Sequence, residues 1–133
     1  MKIEPINITP AEWDIMEVLW RQSPLSAAEI YETLRDQTDW TIKTVRSFLD
    51  RLAQKQAVRK DKIHGMIVFK PIPKRSQCLL QESRSFLQRF FQGNPVSLVR
   101  HFVEQETLSE EDVVRLQALL ECRQQIPKKK GSD

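Results

Sequence analysis

The sequence lacks long hydrophobic runs and cysteine pairs. Its longest uninterrupted apolar stretch is MIVF at residues 66–69, so no segment is predicted to cross a bilayer. The N-terminal segment contains Glu4 and has no apolar core, so we expect no secretory signal and a cytoplasmic location. The two cysteines, Cys78 and Cys122, form no C-x-x-C motif, which argues against a disulfide framework.

Catalytic motifs are missing as well. The sequence contains no G-x-S-x-G, H-E-x-x-H or G-x-x-x-x-G-K. The two histidines, His64 and His101, have no Cys, Asp or Glu at the spacing of a metal site or a catalytic triad. The acidic run at residues 110–112 fits first-turn charge at a helix N-terminus better than an acid/base pair. We therefore expect no enzymatic activity, no bound metal and no cofactor.

What the chain does contain is a globular composition with unevenly distributed charge. Of its 133 residues, 40% are hydrophobic and 29% are charged, as in folded proteins. The net charge of +3 is the sum of −5 over residues 1–40 (three basic, eight acidic), +8 over residues 41–75 (ten basic, two acidic) and zero over residues 76–133 (eight of each). A strongly basic middle segment indicates binding to a polyanion, although a merely solvated charge run is the alternative.

Capping signals and apolar spacing predict three helices in the first half. Residues 9–12 (TPAE) and 26–29 (SAAE) are capping boxes, and the two helices they open are predicted to end at about residues 22 and 37. A third helix is predicted from about residue 41 to residue 56. One stripe of this helix is apolar, formed by Ile42, Val45, Phe48, Leu49 and Leu52.

After the third helix the apolar period changes from helical to alternating. Residues 58–63 and 66–72 flank His64-Gly65, which predicts a β-hairpin with Gly65 at a positive φ. Lys60 and Lys62 make one side of this hairpin basic. Four apolar residues of the hairpin are expected to face inward, namely Val58, Met66, Val68 and Ile72.

The second half of the chain is predicted to be helical. Helices are expected from about residue 74 to residue 92, from Pro95 and after Ser109, before a flexible tail. So short a helical segment seldom buries its own apolar residues, so we expect pairing with a second copy of the chain. Folding back onto the first half is the alternative. The expected dimer contacts are Leu79, Phe86, Leu87, Phe90, Val99, Phe102, Leu116 and Leu120.

The third helix and the hairpin together indicate a DNA-binding surface. Lys43, Arg46, Ser47 and Asp50 point away from the apolar stripe, with Thr44 at its edge. Arg and Lys can donate to guanine O6 and N7 in a major groove, and a basic hairpin beside such a helix can hold phosphates. We predict a mainly α fold with a small β-hairpin. It would comprise a winged helix-turn-helix domain (residues 1–75), a helical dimerisation domain (76–125) and a flexible tail (126–133).

Two other functions stay open from these residues. One is a winged-helix module that binds another protein and makes no DNA contact, although the basic outer face of the third helix argues against it. The other is a DNA-binding regulator of a different winged-helix class, with a ligand pocket among the C-terminal helices.

Several segments resemble the penicillinase repressor (BlaI/MecI) family, to which the copper-responsive CopY-type repressors are related. They are EWDIMEVLW at residues 12–20, SAAEI at 26–30 and KTVRSFLDRL at 43–52, and the likeness extends from about residue 6 to 122. The resemblance implies a homodimeric repressor that occupies a palindromic operator in double-stranded DNA. It implies dimerisation through the C-terminal helices, base reading by Lys43, Thr44, Arg46 and Ser47, and wing contacts by Lys60, Lys62 and His64.

The resemblance also implies a means of release from DNA. In the penicillinase branch a sensor-linked protease cuts the fifth helix at an Asn-Phe bond, and the matching bond here is His101–Phe102, with His in place of Asn. The copper branch carries a C-terminal pair of Cys-x-Cys motifs. In this chain only Cys122 stands near that position, so copper sensing is not expected. The expected partners are operator DNA, a second copy of the chain and a sensor-linked protease.

Overall fold

The computed structural model describes residues 6–125 and confirms the predicted class, mainly α with one small hairpin. Among these residues the order is α1 (Pro10–Arg21), α2 (Ala27–Leu34), α3 (Ile42–Gln54), β1 (Val58–Ile63), β2 (Met66–Pro71), α4 (Arg75–Phe91), α5 (Pro95–Glu104) and α6 (Glu110–Gln125). The chain divides into two compact units, one ending at Ser83 and the other starting at Arg84. The predicted flexible tail, residues 126–133, lies outside the described residues.

The first two helices begin where their capping boxes predict. The Thr9 hydroxyl accepts a hydrogen bond from the Glu12 amide (3.2 Å), and the Glu12 carboxylate accepts one from the Thr9 amide (3.0 Å). Ser26 and Glu29 make the same reciprocal pair, at 3.2 and 2.8 Å. Each pair satisfies two amides that the first turn of a helix leaves without a partner. Local sequence therefore determines where α1 and α2 start.

The end of α2 differs from the prediction. The helix stops at Leu34 and does not continue to about residue 37. The Thr38 amide and hydroxyl both donate to the Leu34 carbonyl, at 3.1 Å each, and the Gln37 amide donates to it at 3.0 Å. These bonds close a tight turn, which sends the chain toward α3.

The core of the first unit lies among α1, α2, α3 and the hairpin. Leu25, between α1 and α2, forms an isolated antiparallel bridge with Phe69 of β2, through bonds of 2.8 and 3.2 Å. The second hairpin strand is thus joined to the segment that leads into α2. The largest fully buried apolar side chains of this core are Ile15, Met16, Leu19, Ile30, Val45, Leu49 and Leu52.

The hairpin has the predicted strands and turn. Its register runs from Val58↔Pro71 to Ile63↔Met66, and His64 (φ 51°) and Gly65 (φ 79°) both adopt left-handed backbone conformations. Two successive positive φ values are what a two-residue type I′ turn requires.

The inward orientation predicted for four hairpin residues is right for two of them. Val58 and Val68 are buried, whereas Met66 is 54% exposed and Ile72 is 53% exposed. Met66 pairs with Ile63 beside the turn, where the tip extends past the buried core. Ile72 follows the end of β2, so strand alternation no longer sets its direction.

The second unit is helical and buries little of its apolar surface. The Asn94 side chain accepts from the amides of Val96 and Ser97, which starts α5, and Ser109 and Asp112 bond reciprocally at the start of α6. None of residues 84–124 is buried. Among the described residues, no helix combines the length and the hydrophobicity that crossing a membrane requires.

Candidate nucleic-acid interface

An open groove of about 780 Å³ lies between the start of α2, α3 and the hairpin. It is lined by residues 26–29 at the start of α2, Arg46 and Asp50 of α3, Lys60 of β1, and residues 65–67 and Phe69 at the turn and in β2. Elements far apart in sequence thus contribute to one concave surface, which carries two cationic side chains, Arg46 and Lys60, and two carboxylates, Glu29 and Asp50.

The outer face of α3 is positioned by its buried face. Val45, Leu49 and Leu52 are fully buried, so the side chains between them, Arg46 and Ser47, are exposed. Lys43 is exposed in the first turn of the helix. These three predicted base-reading residues therefore lie on the solvent-facing side of α3, and the fourth, Thr44, lies at the edge of that side.

Thr44 is the predicted reading residue at that edge, and it is half-buried. Its amide donates to the Thr41 hydroxyl, which caps α3, and the two hydroxyls lie 3.2 Å apart. The Thr44 hydroxyl is thus engaged with the helix cap. Arg46, which lines the groove, is the better placed of the two for a base edge.

The predicted hairpin residues are exposed, and two of them share a face with the groove. Lys60 stands opposite Phe69 and Lys62 opposite Ile67 in the strand register. Because directly paired residues lie on the same face of a hairpin, both lysines project from the face that Ile67 and Phe69 present to the groove. His64 occupies the turn and is exposed.

The sequence does not predict the two ion pairs formed by residues of α3 and β1, of which one joins the two elements and the other lies within β1. Asp50 of α3 lies 3.7 Å from the Lys60 ammonium group of β1, and Arg59 lies 3.3 Å from Asp61. The sequence predicts that Asp50 faces outward, but the approach of the hairpin to α3 sets its partner. The spacing of residues along α3 gives no information about a contact with a different element.

Two polar contacts hold the start of α4 and the end of the hairpin against α1. The Trp20 indole donates to the Pro73 carbonyl at 3.0 Å. The Arg75 guanidinium donates to both oxygens of Glu17, at 2.9 and 3.1 Å, and this pairing holds the pKa of the Glu17 carboxyl below its usual value. Both contacts fix the segment that follows the hairpin.

The predicted dimer contacts are mostly exposed, and they form no single cluster. Val99, Phe102 and Leu116 line a groove of about 450 Å³ in the second unit. Phe86 and Phe90 pack against one another with ring centroids 5.1 Å apart. Leu79 lies in the first unit. The remaining two predicted contacts are Leu87, which is half-buried, and Leu120, which is exposed.

The bond between His101 and Phe102 lies inside α5. The His101 carbonyl accepts from the Gln105 amide at 3.0 Å, and the Phe102 carbonyl accepts from the Thr107 amide at 3.0 Å. The His101 ring also lies 5.9 Å from the ring of Phe91. The carbonyls of both residues flanking the bond are thus engaged by amides that follow the end of α5.

Three helices followed by a hairpin, with the third helix exposed beside that hairpin, define a winged helix-turn-helix protein. The chain matches the penicillinase repressor family over residues 8–122, and it belongs to that family. The resemblance found in the sequence is thereby confirmed.

Relatives of known name agree with this assignment. The methicillin resistance regulatory protein MecI of Mammaliicoccus sciuri is 31% identical over 114 residues, which are 86% of this chain and 93% of MecI. The penicillinase repressor of Bacillus licheniformis is 33% identical over 115 residues, 86% of this chain and 90% of that protein. The solved DNA-binding domain of the repressor BlaI is 30% identical with a TM-score of 0.50, and the match covers 57% of this chain and 92% of that domain.

Proposed function

We propose that this chain is a homodimeric transcriptional repressor that binds a palindromic operator in double-stranded DNA. The observation that carries the proposal is the exposed polar face of α3, with Lys43, Arg46 and Ser47, beside a basic hairpin. Membership of a repressor family and the likeness to the DNA-binding domain of BlaI support it. Neither supports the rival reading, a module that binds only protein.

In this proposal α3 enters the major groove of one half-site. Arg46 and Lys43 donate to guanine O6 and N7, while Thr44 and Ser47 contribute shorter polar contacts. Lys60, Lys62 and His64 of the hairpin contact the phosphate backbone beside that groove. The helix thereby supplies sequence discrimination, and the hairpin supplies affinity and orientation.

The second copy of the chain pairs through the C-terminal helices. Exposed apolar side chains such as Phe90, Val99 and Leu120, in a segment with no buried residue from 84 to 124, support this. So many exposed apolar side chains in one helical segment are typical of a protein that buries them against a partner. Pairing by a two-fold axis would present two α3 helices to the two halves of a palindrome. Residues 1–75 would then bind DNA and residues 76–125 would dimerise.

Release from DNA would follow cleavage of the His101–Phe102 bond by a sensor-linked protease. Both residues lie within α5, so the protease requires local opening of that helix before it can reach the bond. Cleavage would separate α6 from the DNA-binding domain and weaken the dimer. Operator affinity would fall although α3 itself is unchanged.

The experiment is a binding titration with DNA from upstream of the chain's own gene. Fluorescence anisotropy on this duplex and on a scrambled duplex of equal length is measured over a salt series. A repressor binds the upstream duplex more tightly than the scrambled one by about a thousandfold or more, as is usual for specific sites. Equal, weak binding to both duplexes would contradict the proposal and favour a protein-binding module.

A further inference from the structure

Two carboxylates line the groove of the candidate interface: Glu29, which accepts a hydrogen bond from the Ser26 amide at the cap of α2, and Asp50. Asp50 lies one helical turn after Arg46, and both residues line the groove together with Lys60. Its side chain is 65% exposed, and its one ion-pair partner among the described residues is Lys60, at 3.7 Å. The Asp50 carboxylate therefore has no part in the core and remains available to a ligand in the groove.

A carboxylate at this position opposes sequence-independent binding to DNA. Such binding depends on cations that neutralise phosphates, and a negative charge on the docking face removes part of that attraction. Asp50 also pairs with Lys60, a cation that the hairpin would otherwise offer to a phosphate.

The chemistry of the major groove gives the carboxylate a favourable alternative. Cytosine N4 and adenine N6 carry amino groups that donate to an acceptor, whereas guanine and thymine present acceptor oxygens at the equivalent place. An aspartate facing cytosine or adenine gains a hydrogen bond, and one facing guanine or thymine is repelled. While Asp50 accepts from a base, Lys60 is free to contact a phosphate.

We propose that Asp50 is a specificity-determining residue, which selects a base with an exocyclic amino group at one position of each half-site. The inference rests on the proposed DNA-binding function. It adds a carboxylate to the proposed base-reading residues of α3, which otherwise carry cationic or hydroxyl groups. Asp50 would complement Arg46, since the arginine selects an acceptor pair on guanine and the aspartate selects a donor.

The test compares two variants that remove the same charge from different places. A selected duplex is first obtained by repeated enrichment of a random duplex pool on the full-length chain. Affinities for this duplex and a scrambled one are then measured for the parent, Asp50→Ala and Asp61→Ala. Asp61 is the matched control because it is a paired carboxylate of the hairpin and is not among the groove-lining residues.

For Asp50→Ala we expect tighter binding to the scrambled duplex and no gain on the selected one. The ratio of the two affinities should fall about tenfold or more, because one base contact is lost while one repulsive charge is removed. For Asp61→Ala both affinities should rise together, leaving the ratio within about twofold. An equal rise on both duplexes for Asp50→Ala would overturn the proposal.

Enrichment of the random pool on Asp50→Ala supplies a second readout. The enriched sequences should lose their preference at one position per half-site and keep the others, and an unchanged consensus would also overturn the proposal. If Asp50→Ala does not fold, Asp50→Asn takes its place, with a shift toward adenine at that position as the expected result. A parent chain that enriches no sequence at all would refute DNA recognition itself, a different outcome from failure at Asp50.

Discussion

The ammonium group of Lys55, the residue at the C-terminal cap of α3, donates a hydrogen bond to the buried carboxylate of Glu12 in the first turn of α1. It also donates to the Asn7 carbonyl at 2.8 Å. Glu12 is fully buried, and its second carboxylate oxygen has no hydrogen-bond partner among the described residues. One lysine thus attaches the end of the proposed reading helix to the start of α1.

Removing Lys55 should destabilise the first unit. Lys55→Ala leaves a buried carboxylate without its cation, a change expected to cost about 1–3 kcal/mol of unfolding free energy because the lysine is itself partly exposed. Urea unfolding followed by circular dichroism measures this. Lys43→Ala is the matched control, since Lys43 is exposed and should change stability by less than about 0.5 kcal/mol. Equal stability of the two variants would show that the Lys55 contact is energetically neutral.

Stability should decrease in acid through Glu12 and Glu17. Burial raises the pKa of Glu12, but the hydrogen bonds from Lys55 and the Thr9 amide outweigh it, so the pKa lies below its ordinary value of 4.5. The Arg75 bond does the same for Glu17. Because both carboxyls bind protons less readily when folded, their contribution is complete above about pH 4.5 and is lost as the pH falls below that value.

The measurement is urea unfolding of the parent between pH 7 and pH 3, compared with the Glu12→Gln/Glu17→Gln double variant. The double variant starts less stable and should lose less stability across the acid range. If both proteins lose the same free energy between pH 5 and pH 3, other carboxyls account for the acid sensitivity.

Arg46 should control sequence discrimination, and Lys62 should control general affinity. Arg46→Ala is expected to cost about 1–3 kcal/mol on the selected duplex and to relax base preference at one position per half-site. Lys62→Ala should weaken binding to all sequences alike and reduce the slope of log affinity against log salt by about one unit. Anisotropy titrations over a salt series measure both. An Arg46→Ala variant that discriminates as the parent does would exclude α3 as the reading helix.

The full-length chain should be a dimer held by its C-terminal helices. Leu120→Glu introduces a charge into the proposed apolar interface and should shift the sedimenting species from dimer to monomer at about ten micromolar. Gln117→Glu, on the same helix, adds the same charge at an exposed polar position and should leave the dimer intact. A parent chain that sediments as a monomer at this concentration would reject the interface.

Induction should change the mass of the protein if release depends on cleavage. Protein recovered from cells before and after induction is expected to shift from the full-length mass to a fragment that ends at His101. His101→Pro would also unfold α5, and Phe102→Ala would also remove a predicted dimer contact, so His101→Ala, which changes the side chain before the bond, is the preferred variant. Full-length protein that leaves the operator during induction would instead indicate release by a ligand.

Local sequence determined most of the secondary structure. The capping boxes at Thr9 and Ser26 place the starts of α1 and α2, because each closes hydrogen bonds within four residues. The change of apolar period after α3 and the His64-Gly65 turn define the hairpin in the same way. The outward side of α3 also follows from the sequence, since burial of Val45, Leu49 and Leu52 leaves the intervening polar residues outside.

Tertiary structure decided which distant residues meet. The Lys55–Glu12 contact, the Asp50–Lys60 pair and the Leu25–Phe69 bridge each join elements that approach one another only when the core packs. Met66, beside the hairpin turn, and Ile72, just after β2, are also exposed although the sequence pattern predicts both to face inward. Periodicity records which face of an element is apolar, and it carries no information on where that element ends relative to its neighbours. The composition of the groove therefore depended on the assembled helices and hairpin.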